Sequence, residues 1–292
     1  MKRRGIVYLS LLAVTLCLTL IFKSFLDNLA VAGTLSSDTV KSARFRSQDI
    51  SPEAFGSLET FAEEQGEDVW EVLAVTMIVS RFRLEKPISF HPETYQRYLS
   101  VLSRWRPDAL KAVETVYRSV WADASCMPVR DMGNGTTEIG YENGWMDARG
   151  ADGERKHEGT DIFCWEAGNE SPAESGIYPV VSMTDGYVEN VGWLPLGGNR
   201  IGIRSDSGGY FYYAHLSDYA RDFQAGERVS AGELLGYMGD TGYGPEGTTG
   251  QFPVHLHLGI YFNAEDGTEI SVNPYPLLRI LDNAGESCKL FN

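Results

Sequence analysis

The chain has 292 residues, 43% of them hydrophobic and 12% aromatic, which is enough apolar material for at least one full core and too much for a disordered chain. Its 25 Lys and Arg against 40 Asp and Glu leave a formal charge of −15. With no dense basic run beyond the first four residues, that balance argues against nucleic acid as a partner, because backbone binding needs a cationic patch.

Lys2, Arg3 and Arg4 precede an uncharged run from Gly5 to Phe22, closed by Lys23. At about 1.5 Å per residue the run makes roughly 27 Å of helix, close to the ~30 Å hydrocarbon core of a bilayer. The excess of cations before the run predicts a signal anchor within residues 1–25, with the N-terminus cytoplasmic and the rest of the chain extracytoplasmic. A cleaved signal peptide is the rival, since Ala30-Val31-Ala32 before Gly33 has the small-x-small form of a cleavage site; residues 1–32 would then be lost and the protein secreted. Both readings export the remainder. Residues 26–50 are polar, mixed and without sustained period, and read as a linker.

Residues 51–126 read as a small helical domain. Ser51-Pro52 offers an N-cap with proline at the first helical position, and Phe55, Leu58, Phe61 and Ala62 follow at helical spacing. Further stripes run through Val69, Val72, Leu73, Thr76 and Met77, then Tyr95, Tyr98, Leu99 and Leu102, then Leu110, Val113, Val116, Tyr117 and Val120, with Pro87 and Pro107 at the breaks. These predict amphipathic helices. Glu59, Glu63, Glu64, Glu67 and Asp68 read as a solvated helix face, and His91 as a surface or capping histidine.

Cys17 falls inside the apolar run, leaving Cys126, Cys164 and Cys288 beyond it, an odd number. Cys126 with Cys164 is a candidate bridge; the alternative is three small apolar residues in the core.

From residue 127 to 292 the texture changes to short alternating segments punctuated by glycine, as in Asp185-Gly186 before Tyr187–Val191 and Ser207-Gly208-Gly209 before Tyr210–Tyr213. Strands at about ten-residue intervals predict an antiparallel all-β domain. Four of the five histidines fall here. His157 and Asp161 are four apart, a spacing that points both the same way on helix and strand alike. His255 and His257 alternate with Leu256, Leu258 and Ile260, which puts both imidazoles on one face of a strand. With His215, these are ligands and acid–base partners suited to a catalytic zinc, which takes three protein groups and leaves one position open.

These motifs are where the chain resembles a family. His157-Glu-Gly-Thr-Asp161 and His255-Leu-His257 are similar to the HxxxD and HxH of the lysostaphin-like (LytM-type) zinc metalloendopeptidases of peptidoglycan, peptidase family 23. The likeness covers residues 157–275 and includes Tyr178–Val188, Tyr213-Ala-His-Leu-Ser217, Gly226–Gly239 with Thr241-Gly242, and Val272-Asn-Pro274. It implies a duplicated hybrid motif fold, an antiparallel β-sandwich, with one zinc ion held by His157, Asp161 and His257. It also implies that His215 and His255 are catalytic, flanking the open position. One of that pair would take a proton from water and the other would bind the developing oxyanion and protonate the leaving amine. The implied substrate is a peptidoglycan stem peptide or cross-bridge.

Departures from the family pattern lie in Glu158 after the first histidine, expected to point away from the metal, and in two long segments. Residues 163–176 and 242–253 are expected as loops at the cleft rim, where Trp165, Tyr243 and Phe252 would narrow the groove. Two other functions share such motifs: a non-catalytic scaffold, sporulation-channel component or amidase activator of the same fold, and a phosphocarrier of the sugar phosphotransferase system. The first is disfavoured by retention of all five motif residues. Export and Asp161, whose charge would repel a phosphoryl group, disfavour the second.

Overall fold

The computed structural model describes residues 2–33, 35–87, 91–129, 137–150, 153–168 and 173–284. The N-terminal run forms one helix, α1 (Lys2–Ala32), of which Ile6–Ala32 is long and apolar enough to cross a membrane by length and composition. Its large apolar side chains from Ile6 to Leu29 are exposed. The helix continues beyond the apolar run, and its last turns pack on the body of the protein. Phe25 meets Trp105 at a ring separation of 5.7 Å, and the Ala32 carbonyl accepts from Arg106 Nε at 2.8 Å.

The polar segment that follows is more ordered than its composition suggests. Short helical turns at Ser37–Lys41 and Ala43–Arg46 bury Val40 and Phe45. The Phe45 ring lies against Phe82 and Tyr117, both at 5.4 Å, and Phe262 at 6.3 Å. Two apolar side chains that a solvated stalk would leave in water thus seat residues 37–46 between the helices and the sheet.

Four helices follow: α2 (Pro52–Gln65), α3 (Val69–Val79), α4 (Pro92–Trp105) and α5 (Pro107–Tyr117), each of α2, α4 and α5 beginning with proline. The Ser51 hydroxyl accepts from the Ala54 N–H, the Asp68 carboxylate accepts from the Trp70 and Glu71 N–H groups, and Gly66 in the left-handed region ends α2. One helix departs from the amphipathic expectation. Every residue from Val72 to Ile78 is buried, because α3 is enclosed by α2, α4 and α5. His91 stands at the N-cap position of α4 without a side-chain capping bond.

The remainder is an antiparallel sheet. Its strands are β1 (Thr137–Tyr141), β2 (Thr160–Glu166), β3 (Pro179–Val181), β4 (Gly186–Leu194), β5 (Gly198–Ser205), β6 (Tyr210–Tyr219), β7 (Arg228–Val229), β8 (Leu234–Met238), β9 (Leu256–Asn263) and β10 (Glu269–Val272). The order across the sheet is β7-β4-β5-β6-β9-β2-β1, with β8 pairing β6 and β3, and β10 pairing β9. Ile201, Ile203, Phe211, Tyr213, Leu216, Leu256, Leu258 and Ile260 are buried and form the apolar side. A closing helix, α6 (Tyr275–Asn283), buries Leu277, Leu278 and Leu281 and was not anticipated, although Pro274 and that leucine spacing signal it.

The candidate bridge between Cys126 and Cys164 does not form. Cys126 is disulfide-bonded whereas Cys164 is a free, buried thiol facing the core from β2, its pKa pushed up to about 12 by burial. Cys288 lies outside the described residues.

Candidate active site

The sheet register assembles the site. Asp161 on β2 pairs directly with His257 on β9, and His257 pairs in turn with Ala214 on β6, so the metal-ligand candidates stand side by side across two strands. His157 enters from the segment just before β2. Its Nε2 is 3.0 Å from Asp161 Oδ1 and 3.2 Å from His257 Nδ1, and His257 Nδ1 is 2.9 Å from the same carboxylate oxygen. Three ligands of a tetrahedral zinc with bonds near 2.0–2.1 Å stand ~3.3–3.4 Å apart, so the triangle has nearly the size that ion requires. Among the described residues this is the group of His, Cys, Asp and Glu side chains that can share one ion.

Outer contacts fix these three side chains. His157 Nδ1 lies 3.0 Å from both the Gly144 carbonyl and Arg149 Nη2, and one proton on Nδ1 satisfies only the carbonyl. Arg149 Nη2 then donates to Asp161 Oδ2 at 2.9 Å, and His157 Nε2 turns its lone pair to the centre. Burial opposes ionisation of Asp161, but the His157, His257 and His255 rings gathered round the carboxylate outweigh it and hold the carboxyl far below the ordinary carboxylate range. Gly159 makes room for His257: a Cβ there would stand 2.5 Å from the imidazole Cε1 and 2.6 Å from the Leu258 carbonyl.

His215 and His255 approach from the other side. Regular alternation on β6 would turn His215 into the core, opposite Ala214. Between Tyr213 and Leu216, however, three steps on β6 face two on β5, and His215 takes φ +64°. This bulge with a left-handed non-glycine residue re-aims the imidazole into the cleft. His215 Nδ1 donates to the Thr241 carbonyl at 2.8 Å and His255 Nδ1 to the Pro253 carbonyl at 2.8 Å, leaving both Nε2 atoms as acceptors. His255 Nε2 is 3.6 Å from Asp161 Oδ1, and the two rings are 4.8 Å apart. Burial lowers both pKa values, that of His215 from 6.5 to about 3 with help from the neighbouring imidazoles, so the pair is neutral at pH 7. Gly198 supports this arrangement, since a Cβ there would clash with Thr241 at 2.3 Å.

All five motif residues border one cleft of about 1460 Å³. Its rim is aromatic near the second histidine pair. Phe252 and Tyr243 lie 4.5 and 6.1 Å from the His215 ring, and Phe163 stacks on His255 at 5.3 Å. Two expectations need revision. Residues 163–166 continue strand β2 instead of opening a loop, and Trp165 turns away from the cleft, covering Gly140 and donating to Glu138 at 2.6 Å. Residues 169–172 lie outside the described residues. Glu158 points away from the metal cluster but is not idle, for it accepts from Arg46 Nη2 at 2.6 Å, and that guanidinium also bonds the Ser271 hydroxyl and carbonyl. The ion pair ties the segment after α1 to the residue beside His157. Sequence reasoning missed it, and also Arg149, because neither has a fixed spacing from the motif.

Comparison with known proteins gives a consistent result. Residues 155–273 match the model of peptidase family M23. Over 144 residues, 49% of the chain, it is 46% identical to the L-Ala--D-Glu endopeptidase of Bacillus subtilis, of whose length it spans 40%. It is 31% identical over 103 residues to lysostaphin of Staphylococcus simulans, spanning 19% of that protein. A crystal structure from Ruminococcus gnavus, provisionally named glycyl-glycine endopeptidase LytM, is 42% identical, with a TM-score of 0.67, and the match covers 84% of this chain and 92% of that one. With likeness of this extent and identity over nearly the whole of a solved relative, the chain belongs to peptidase family M23.

Proposed function

We propose that the protein is a zinc-dependent endopeptidase that hydrolyses peptide bonds in peptidoglycan stem peptides or cross-bridges. In this reading α1 holds it in the membrane and the rest of the chain lies outside the cytoplasm. The observation that carries the proposal is the convergence of His157 Nε2, Asp161 Oδ1 and His257 Nδ1, at 2.9–3.2 Å from one another, beside two neutral imidazoles in one cleft. Two nitrogens and one carboxylate oxygen suit zinc, with the fourth position left for substrate or water.

Zinc bound there supplies Lewis acidity that polarises the scissile carbonyl and brings a water molecule's pKa toward neutrality. The protein's own groups do the rest. His215 and His255, each held by a backbone carbonyl through Nδ1, present unprotonated Nε2 atoms to the cleft. The imidazole that takes the proton of the attacking water at Nε2 becomes a cation that hydrogen-bonds the developing oxyanion and passes the same proton to the leaving amine, while its neutral neighbour orients the water by accepting from its second O–H. Tyr243, Phe252 and Phe163 keep the imidazoles out of bulk water. Of the bonds named for the relatives, L-Ala–D-Glu and glycyl–glycine, the first belongs to the relative with 46% identity and is the favoured target.

The test is to purify the full chain, measure its zinc content, digest isolated murein and identify the released ends by mass spectrometry. One zinc per chain and new peptide termini are expected. His257→Ala should lose the ion, whereas His215→Ala should retain it and lose most hydrolysis. Equal zinc content and activity in both variants would contradict the assignment.

A further inference from the structure

The row of paired residues that builds the metal cluster continues one strand further. Asp161 pairs His257 and His257 pairs Ala214, while Tyr213 pairs Ile201 on β5. Arg200, between the pairs Tyr213–Ile201 and Leu216–Asn199, therefore faces the bulged Ala214–His215 step. With strands ~4.8 Å apart, its Cα stands roughly 10 Å from that of His257 with one methyl group between them. Arg200 borders the same cleft as the four histidines.

Its electrostatic state sets it apart. Other arginines of this sheet and its loops are paired with acids: Arg204 with Glu189, Arg221 with Glu227 and Glu233, Arg228 with Asp206, and Arg149 with Asp161. The Arg200 guanidinium has no hydrogen bond or ion pair among the described residues, and its Nη1 is buried without a partner. Tyr210 and Tyr212, on the same face, are phenols that carry no charge at neutral pH. A cation kept partly buried and unpaired is costly, and such cost persists where a ligand supplies the missing group. Arg149, Arg155 and Lys156 line the cleft as well, against Glu158, Asp161 and Glu269, so its charges nearly balance within a strongly acidic protein.

We propose that Arg200 is the specificity residue of this site and binds a free carboxylate on the substrate residue next to the scissile bond; this rests on the endopeptidase reading above. The planar fork of a guanidinium matches a carboxylate through two parallel hydrogen bonds. The chemistry of the substrate follows from the distance. A D-glutamyl residue whose chain continues through its γ-carboxyl keeps a free α-carboxylate on the carbon bonded to the scissile nitrogen, within reach of a side chain two strands from the metal cluster. A glycyl–glycine bond offers no such group, so the same residue favours L-alanyl–D-glutamyl bonds.

The test uses two synthetic peptides, L-Ala-γ-D-Glu-L-Lys-D-Ala and its twin in which the α-carboxylate is an amide, with zinc-loaded full chain in detergent. Binding constants and kcat/KM are measured for wild type, Arg200→Gln and Arg200→Lys. Wild type should prefer the acid by about 10- to 100-fold, the discrimination expected for a charge-assisted pair left unmade in the amide. R200Q should bring the ratio close to one, and R200K, which keeps charge without the fork, should lower it several-fold. A wild-type ratio near one, no measurable binding of the acid, or a ratio unchanged in R200K or R200Q overturns the proposal. The binding arm separates the two readings: selective, Arg200-dependent binding without cleavage of either peptide would sink the endopeptidase function and leave the assignment of Arg200 standing. Cleavage of both peptides at equal rates would do the reverse.

Discussion

The helical region and the cleft face of the sheet handle polar groups in opposite ways. Among the helices, Arg118 bridges Asp68 and Glu114, and the Asp68 carboxylate caps α3. The buried groups without partners there, Thr76 and Tyr117, are neutral hydroxyls. On the cleft face three histidines are buried, His215 sits in the left-handed region, and Arg200 has no counter-ion. Buried histidines and unpaired charge are thus gathered on one surface, whereas left-handed non-glycine residues occur in both regions, at Gln48, Arg81 and Phe82 as well as at His215 and Tyr243. Buried titratable groups and unpaired charge concentrated in this way mark where a fold gives up stability for chemistry.

The sharpest way to break that contrast is Asp161→Ala, which removes the oxygen shared by three imidazoles. It should abolish zinc retention and cut hydrolysis by roughly 1,000-fold or more, the several kcal/mol that metal polarisation contributes. Assay of metal content and murein digestion together checks it. His215→Ala should lower kcat by about 10²–10⁴-fold, the usual contribution of one general acid or base, with the zinc content unchanged. Gly159→Ala presses a methyl group against the His257 ring. Zinc affinity should fall about 10- to 100-fold, as when a group supporting a ligand is lost, and titration with a competing chelator measures it.

The converse holds for the helices. Leu73 is fully buried in α3, and Leu73→Ala should destabilise the protein by about 2–5 kcal/mol in denaturant unfolding while the zinc affinity of the folded protein stays the same. A smaller effect is expected from pH on the metal-free protein. The His215 pKa is about 3 folded, against 6.5 for the ordinary side chain, so between these values the unfolded chain binds a proton that the folded one refuses. Stability is complete above pH 6.5 and falls as the pH drops toward 3. His215→Gln should flatten that slope in melting curves recorded with chelator, and an unchanged slope would assign the effect to other groups.

Legibility followed the same division. The glycine-punctuated strands, the helix start at Pro52, the break at Pro107 and the motif spacings were readable because each depends on local period or fixed spacing. The bulge at His215 was not, since its sequence alternates like any strand and only the pairing with β5 displays the extra residue. The role of Glu158 escaped because its partner, Arg46, is more than a hundred residues away in a segment whose composition reads as solvated. Trp165 was misplaced for a related reason. An aromatic residue near a motif suggests a groove wall, but the strand direction turns it over Gly140. The Cys126 pairing could not be chosen from an odd set of thiols without knowing that β2 points Cys164 into the core.

The most direct test of the whole account is anomalous scattering at the zinc edge from crystals of the protein grown with one equivalent of the metal. A single peak should lie about 2.0–2.2 Å from His157 Nε2, His257 Nδ1 and an Asp161 oxygen, with His215 and His255 uncoordinated. A peak that recruits His215 in place of Asp161, or that lies outside the cleft, would contradict it.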